Sequence, residues 1–192
     1  TRVRSSAASD VYKRQTVMAP KNKWELSDML KFAVKYDGPV AIRYPRGEAY
    51  DGLEEFRAPI VKGCSEILYK GEKTAILSVG SMVKTGEEVY RCLKEDGEDP
   101  TLINARFVKP LDEKMLDLVA EEHSLLVTME ENVKAGGFGM AAADYMRRNH
   151  PHVKVLIFAV PDQFVEHGNP EKLKEKLGLD AGSVYEKIKE AR

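Results

Sequence analysis

The sequence has 192 residues, 30 Lys and Arg against 31 Asp and Glu for a net charge of −1, 43% hydrophobic residues and two cysteines. That balance excludes a general drive toward nucleic acid or an acidic membrane surface. No apolar run approaches the ~20 residues of a membrane span, no secretory h-region is present, and two cysteines cannot build a disulfide framework. The expected setting is the cytoplasm, for a soluble chain of one or two domains.

Residues 1–15 read differently from the rest. Val3, Ala7, Ala8, Val11 and Tyr12 fit neither a period of 3.6 nor one of 2. Four basic residues stand against Asp10. Ser5 to Gln15 resembles the translation of a transposon-type sequencing adaptor. The expectation is a non-native tail that packs against nothing, with the natural protein continuing upstream of Thr16.

From Thr16 the chain alternates strand and helix. Thr16 to Pro20 reads as a strand end stopped by proline. Trp24 to Val34 reads as a helix, with Leu26, Met29, Leu30, Ala33 and Val34 on its apolar face. Val40 to Tyr44 is a short strand that Pro45 ends. Gly47 to Pro59 is polar, carries Gly47 and Gly52, and reads as an interdomain linker. Ser65 to Tyr69 and Thr74 to Val79 read as strands of a hairpin turned at Lys70 to Lys73. Met82 to Glu95 is helical, with Met82, Gly86, Val89 and Leu93 on one stripe. Thr101 to Ala105 is a strand. Leu111 to His123 is a helix turning Leu111, Met115, Leu118 and Val119 inward. Ser124 to Met129 is a strand, and Gly136 to Asn149 a helix after a glycine-rich loop. Val153 to Val160 is nearly continuous in apolar residues, as in a sheet buried on both faces. Helices over 170–177 and 182–191 close the chain. The alternation predicts an α/β fold with a mostly parallel sheet between helical layers.

Several residues invite a chemical reading. Gly137, Gly139 and Ala142, with Asp162 about 20 residues later, fit a dinucleotide fingerprint. The strand end lies too far upstream, however, and Glu130 and Glu131 would repel a pyrophosphate. The plainer reading is a helix N-terminus packed close to a sheet. His150 and His152 lack companions at ligand spacing and read as a solvated turn. Cys64 and Cys92 read as small buried hydrophobes. His123 ends a helix, where a cation suits the dipole. His167 lies in a loop, which makes it the better functional candidate among the histidines. Arg43-Tyr44-Pro45-Arg46-Gly47 is the most suggestive cluster. It follows an apolar strand, where open α/β sheets bind ligands, and a guanidinium there can grip a phosphate. On the residues alone, an arginine paired with a nearby acid serves equally well.

A resemblance separates these alternatives. Val17 to Lys21 and Tyr36 to Gly47 resemble the end of the pyrimidine-binding domain of the 1-deoxy-D-xylulose-5-phosphate synthase family, transketolase-like thiamine diphosphate enzymes. Arg106 to Asp112, Glu130 to Asn132, Gly136 to Gly139, Pro161-Asp162, His167-Gly168 and Gly178 to Asp180 resemble that family's C-terminal domain. The resemblance implies a division into 16–47 (the end of the pyrimidine-binding domain), 48–60 (a linker) and 61–192 (a three-layer C-terminal domain with a mostly parallel five-stranded sheet). It implies a reaction joining pyruvate to glyceraldehyde 3-phosphate with loss of carbon dioxide, feeding isoprenoid, thiamine and pyridoxal synthesis. Thiamine diphosphate and Mg2+ would serve the intact homodimeric enzyme, with neither expected on this chain alone. By the motif, Arg46 corresponds to an arginine that contacts the substrate phosphate, and Arg43 has a structural role. The family's catalytic and cofactor motifs would lie upstream, so no catalytic residue is expected here and the chain alone would be inactive. The same fold family includes transketolases and 2-oxo acid dehydrogenase beta subunits. Readings of another class are a non-catalytic dimerisation module or a nucleotide-binding α/β domain.

Overall fold

The computed structural model describes residues 14–192. The expected foreign tail falls mostly outside them; of its residues, Arg14 and Gln15 are described, and they line a cleft with Tyr36, Lys62 and Lys109.

Two sheets organise the chain. The smaller is built from β1 (Thr16–Met18), β2 (Val40–Ile42) and β6 (Phe107–Lys109), in the order β2-β1-β6. β1 runs parallel to β2, with Val17 opposite Ala41, and antiparallel to β6. The larger is built from β3 (Glu66–Tyr69), β4 (Lys73–Ser78), β5 (Thr101–Asn104), β7 (His123–Val133) and β8 (Lys154–Val160), in the order β3-β5-β4-β7-β8. Only β3 is antiparallel to its neighbour.

The expected hairpin is corrected by this order. β5 lies between β3 and β4, and the 70–72 turn steps over its start. There Gly71 N–H donates to Thr101 Oγ1 at 2.9 Å and Glu72 N–H to the Asp99 carbonyl at 2.6 Å. A turn-like sequence between two strands says that the chain reverses, not that the strands are neighbours.

Six helices follow in the described residues: α1 (Lys23–Lys35), α2 (Met82–Glu95), α3 (Glu113–Glu122), α4 (Phe138–Asn149), α5 (Pro170–Leu177) and α6 (Ala181–Glu190). Their ends follow capping chemistry. Asn22, Asp112, Asn169 and Asp180 each accept first-turn N–H groups. α5 has Pro170 in its first turn and ends at Gly178 with φ +67°, where Leu179 N–H reaches back to the Lys174 carbonyl at 2.8 Å.

Alternation along the strands sends side chains to opposite faces. Ile76, Leu102, Val127 and Met129 pack with Val83, Val89, Leu93, Val184 and Ile188 from α2 and α6. Ala75, Leu77, Ile103 and Leu126 pack with Leu116, Val119, Ala142 and Met146 from α3 and α4. The result is a three-layer α/β unit with a mostly parallel five-stranded sheet. The α2 stripe of Met82, Gly86, Val89 and Leu93 is buried as its spacing predicts.

Other expectations are corrected. β8 is the sheet's edge strand, and only Phe158 of it is buried; its apolar run does not mean cover on both faces. α3 turns Leu116 and Ala120 inward and leaves Leu118 at the surface. α1 buries Glu25 and Met29, while Leu30 and Val34 of the predicted apolar face are 51% and 87% exposed. Strand β6 was not anticipated, and β7 is longer than its apolar stretch. Cys64 is exposed and Cys92 half-buried. His123 is buried rather than a surface cation, and burial pushes its pKa below the ordinary 6.5.

Candidate functional site

The polar 47–59 segment is coil, and it is fastened along its length. Leu53 is buried, and Tyr50 and Phe56 pack on the α2 side of the larger sheet. Tyr50 Oη donates to Glu87 Oε2 at 2.6 Å, and burial with that carboxylate pushes the phenol up to about 12. Asn22 Nδ2 donates to the Gly52 and Leu53 carbonyls at 2.9 and 3.2 Å.

A buried charge network joins this segment, α1 and the larger sheet. Lys21 Nζ meets Glu25 Oε1 at 3.1 Å and Glu66 Oε2 at 2.7 Å, and donates to the Phe56 carbonyl at 3.0 Å. Arg106 reaches the same carboxylates, with Nε to Glu25 Oε1 at 2.8 Å and Nη2 to Glu66 Oε2 at 2.9 Å. It also donates to the Ala58 and Pro59 carbonyls. Asn104 Nδ2 completes the shell of Glu25. Burial raises the Glu66 pKa, but Lys21 and Arg106 outweigh it and hold the carboxyl below its ordinary value. Two cations balance two anions, so the burial is compensated. Arg106 sits at φ +58°, a backbone region uncommon for a non-glycine residue. Sequence reading missed this cluster, because its members are separated by up to 85 positions and share no periodicity.

The Arg43 to Gly47 loop leaves β2 above the larger sheet. Arg43 N–H donates to the Met18 carbonyl at 2.8 Å, extending the β1–β2 pairing by one residue. The loop then crosses the carboxyl ends of β4 and β7. Those two strands flank the topological switch point, since the chain leaves β4 toward β5 and later returns to β7 on the other side. Crevices of this kind are where open α/β sheets take ligands. A cleft of about 150 Å³ lies there. Arg43, Tyr44 and Pro45 form one wall, Gly80 and Ser81 another, and Glu131 and Asn132 a third. The Ala19–Pro20 segment after β1 comes close beside it because Gly80, with φ +59°, has no side chain: a Cβ there would stand 3.1 Å from that of Ala19. Arg46 lies just outside the cleft. It is exposed, and no hydrogen-bond or ion-pair partner meets it among the described residues. Of the two readings of the cluster, the arginine paired with an internal acid therefore does not describe Arg46. A larger cleft of about 640 Å³ lies beside α1, between Phe32, Tyr36 and Ile60. Its charged rim of Asp28, Lys31, Lys35 and Arg57 spends Asp28 on Lys31 and Arg57. It gathers no catalytic pair.

The glycine-rich loop is occupied from within. Glu130, fully buried, accepts from Phe138 N–H at 3.1 Å and from Gly139 N–H at 2.8 Å. Those are the free N–H groups an incoming phosphate would need. Gly139 is packed against the sheet, where a Cβ would fall 2.6 Å from Thr128 Oγ1 and 2.7 Å from Ile157. The fingerprint spacing is thus that of a close helix–sheet contact with its own internal anion, and the dinucleotide reading is set aside. His150 bonds Asp117 at 2.7 Å and His152 the Ala120 carbonyl at 3.1 Å. His167 is exposed in the loop before α5. Among the described residues, no three His, Cys, Asp or Glu side chains gather as a metal site. No helix among them is long and apolar enough to cross a membrane.

Comparison with known proteins settles the family. Residues 63–184 match the model of the transketolase C-terminal domain. The chain belongs to that family. Among curated relatives, 1-deoxy-D-xylulose-5-phosphate synthase of Lachnoclostridium phytofermentans is 47% identical over 174 residues, 90% of this chain and 28% of the relative. The synthase of Alkaliphilus oremlandii is 42% identical over 175 residues, again 28% of its length. The chain therefore spans a little over a quarter of the curated relatives it matches. Among solved structures, a split-gene transketolase described as an inactive beta4 tetramer superposes with a TM-score of 0.82 at 28% identity. It covers 93% of this chain and 58% of that one. The transketolase of Campylobacter jejuni, at 17% identity and a TM-score of 0.63, shares the fold.

Proposed function

We propose that this chain is the C-terminal part of a 1-deoxy-D-xylulose-5-phosphate synthase. The intact enzyme would be a thiamine diphosphate-dependent transferase that condenses pyruvate with glyceraldehyde 3-phosphate, releasing carbon dioxide. The observation that carries the reading is the match at 40–47% identity to synthases over about nine-tenths of the chain. It runs well beyond the matched domain, into the small sheet and the Arg43 to Gly47 loop.

Within that reading, residues 16–47 are the end of the pyrimidine-binding domain and 48–60 the strap joining it to the C-terminal domain. Arg46 binds the phosphate of glyceraldehyde 3-phosphate. A guanidinium with no partner among the described residues presents its N–H fork to a dianion without first breaking an ion pair.

The described residues do not themselves fit the cofactor. No carboxylate cluster is placed for Mg2+, and the one glycine-rich helix start is filled by Glu130. Thiamine diphosphate and Mg2+ are therefore assigned to the remainder of a homodimeric, cytoplasmic enzyme, and no step is routed through them here.

A chimera tests the proposal. Residues 16–192 replace the matching C-terminal quarter of the Lachnoclostridium phytofermentans synthase, and carbon dioxide release from pyruvate with glyceraldehyde 3-phosphate is measured. Turnover is expected. Arg46→Ala is expected to raise the half-saturating concentration of glyceraldehyde 3-phosphate far more than that of pyruvate; equal effects on both would remove the phosphate role. The chain alone is expected to show no turnover and negligible heat on titration with thiamine diphosphate.

A further inference from the structure

One peptide unit carries the base of the Arg43 to Gly47 loop. The Met18–Ala19 peptide accepts Arg43 N–H at its carbonyl, at 2.8 Å, and donates its own N–H to the Arg106 carbonyl, also at 2.8 Å. Arg43 and Arg106 therefore stand on opposite sides of the last peptide of β1, as β2 and β6 do along the strand. Ala19 also lines the switch-point cleft and lies against Gly80. Residues 44–49, Arg46 among them, are exposed. Their course is set at the two ends, by Arg43 on β1 and by Tyr50 on Glu87.

Arg106, buried between β5 and β6, is fixed both by its backbone and by its side chain. On the backbone, Ala105 N–H donates to the Ser78 carbonyl at 2.9 Å and Arg106 N–H to Asn104 Oδ1 at 3.3 Å, which ties the turn to the end of β4. On the side chain, Nε and Nη2 meet Glu25 and Glu66 at 2.8 and 2.9 Å, and Nη1 and Nη2 donate to the Pro59 and Ala58 carbonyls at 3.2 and 2.9 Å. Its φ of +58° is a region that an L-residue holds only where the surroundings over-determine it. In that conformation the carbonyl meets Ala19 while the side chain enters the charge network. Arg106 is 2% exposed and forms no wall of the cleft.

We propose that Arg106 is a positioning residue for the Arg43–Gly47 loop. Its guanidinium, held by two carboxylates and two carbonyls, fixes its own backbone. That backbone holds the Met18–Ala19 peptide, and the peptide holds Arg43 by its N–H. Arg46, further along the loop, is thereby aimed from the C-terminal domain by a residue that touches no substrate. The device needs the planar fork and not only the charge: a lysine ammonium at 106 keeps the balance of two cations and two anions but cannot meet both carboxylates and both carbonyls in one geometry. The kinetic consequence rests on the phosphate role of Arg46 proposed above; the tie between Arg106 and the loop does not.

The test joins amide exchange on the full 192-residue chain to a double-mutant cycle of Arg106→Lys and Arg46→Ala in the chimera. Arg106→Lys is expected to speed exchange of the Ala19 and Arg43 amides several-fold, while the Ile76 and Val127 amides of the larger sheet keep their rates. In the chimera it is expected to raise the half-saturating glyceraldehyde 3-phosphate several-fold with pyruvate unaffected. That rise is expected to vanish when residue 46 is already alanine, because Arg106 acts through Arg46. Unchanged exchange at Ala19 and Arg43, or a rise that persists in the Arg46→Ala background, overturns the proposal. Faster exchange together with equal effects on both substrates supports the tie and sinks the phosphate reading instead. If Arg106→Lys fails to fold, the unsubstituted chain decides. There the Ala19 and Arg43 amides and the Arg106 Nε–H are expected to exchange through one opening with one urea dependence, and separate openings overturn the proposal.

Discussion

The two sheets of this chain are held by different physics. The five-stranded sheet lies between two apolar layers, with fifteen buried side chains in one and fourteen in the other. Among the described residues, the three-stranded sheet has a small buried apolar core of Met18, Met29 and Phe107. It is fastened instead by β6, borrowed from the far side of β5, by the strap at 48–60 and by a buried network of two cations and two carboxylates. Apolar layers tolerate any partner of the right volume, whereas a buried ion network accepts one geometry and is costly if half of it is removed. The Arg43 to Gly47 loop grows from the polar-fastened part and lies on the apolar-fastened one. Its precision therefore depends on the network, while its platform depends on the layers.

That contrast can be broken most directly at Lys21. Lys21→Met leaves Glu25 and Glu66 sharing Arg106 alone, and is expected to cost about 3–5 kcal/mol. Hydrogen exchange should show residues 16–60 losing protection while β4 and β7 keep theirs; simultaneous loss in both regions would show that the two sheets form one cooperative unit. Leu102→Ala removes a fully buried side chain between the strands and α2. It is expected to cost about 2–5 kcal/mol. Urea unfolding should then show a lower midpoint reported equally from both regions, because the small sheet has no platform without the large one.

A smaller effect comes from acid. His123 Nδ1–H donates to the Val119 carbonyl at 3.0 Å, which leaves Nε2 to accept from the Thr101 hydroxyl at 2.7 Å. Thr101 Oγ1 in turn accepts Gly71 N–H, so the neutral ring fixes the turn that steps over β5. Its folded pKa lies below 6.5, so the unfolded chain takes up the proton first. The neutral ring's contribution is complete above about pH 6.5 and falls away as pH drops from there toward the depressed folded value. His123→Gln should flatten that part of a stability–pH profile; an unchanged slope would place the acid sensitivity elsewhere. The smallest effect is expected at the exposed face of α1. Val34→Ser should change stability within about ±0.5 kcal/mol, whereas a comparable change at Met29 should not be tolerated.

The legible part of the fold was the part with a period. The α2 stripe, the two closing helices and the strand–helix alternation of the larger sheet all follow from local spacing. The family motifs placed the chain and singled out Arg46. What stayed illegible involved partners distant in sequence. Nothing near Lys70 to Lys73 says that β5 will slip between β3 and β4. Leu30 and Val34 have core-like spacing, yet Glu25 and Met29 take the inside, because Glu25 meets Lys21, Asn104 and Arg106 while Met29 packs on Met18 and Phe107. Glu130 looked like a charge that would repel an anion at the glycine loop, when it is itself the anion bound there.

The sequence by itself therefore determined the α/β class, the buried stripe of α2 and the family. Those rest on local period, propensity and motif, which each residue carries with it. Only the tertiary structure decided the strand order, the fastening of 16–60, the exposure of Arg46 and the tie between Glu130 and the start of α4. Each of these depends on which charges are left unpaired once distant segments meet, and that balance is struck only when burial strips away the water.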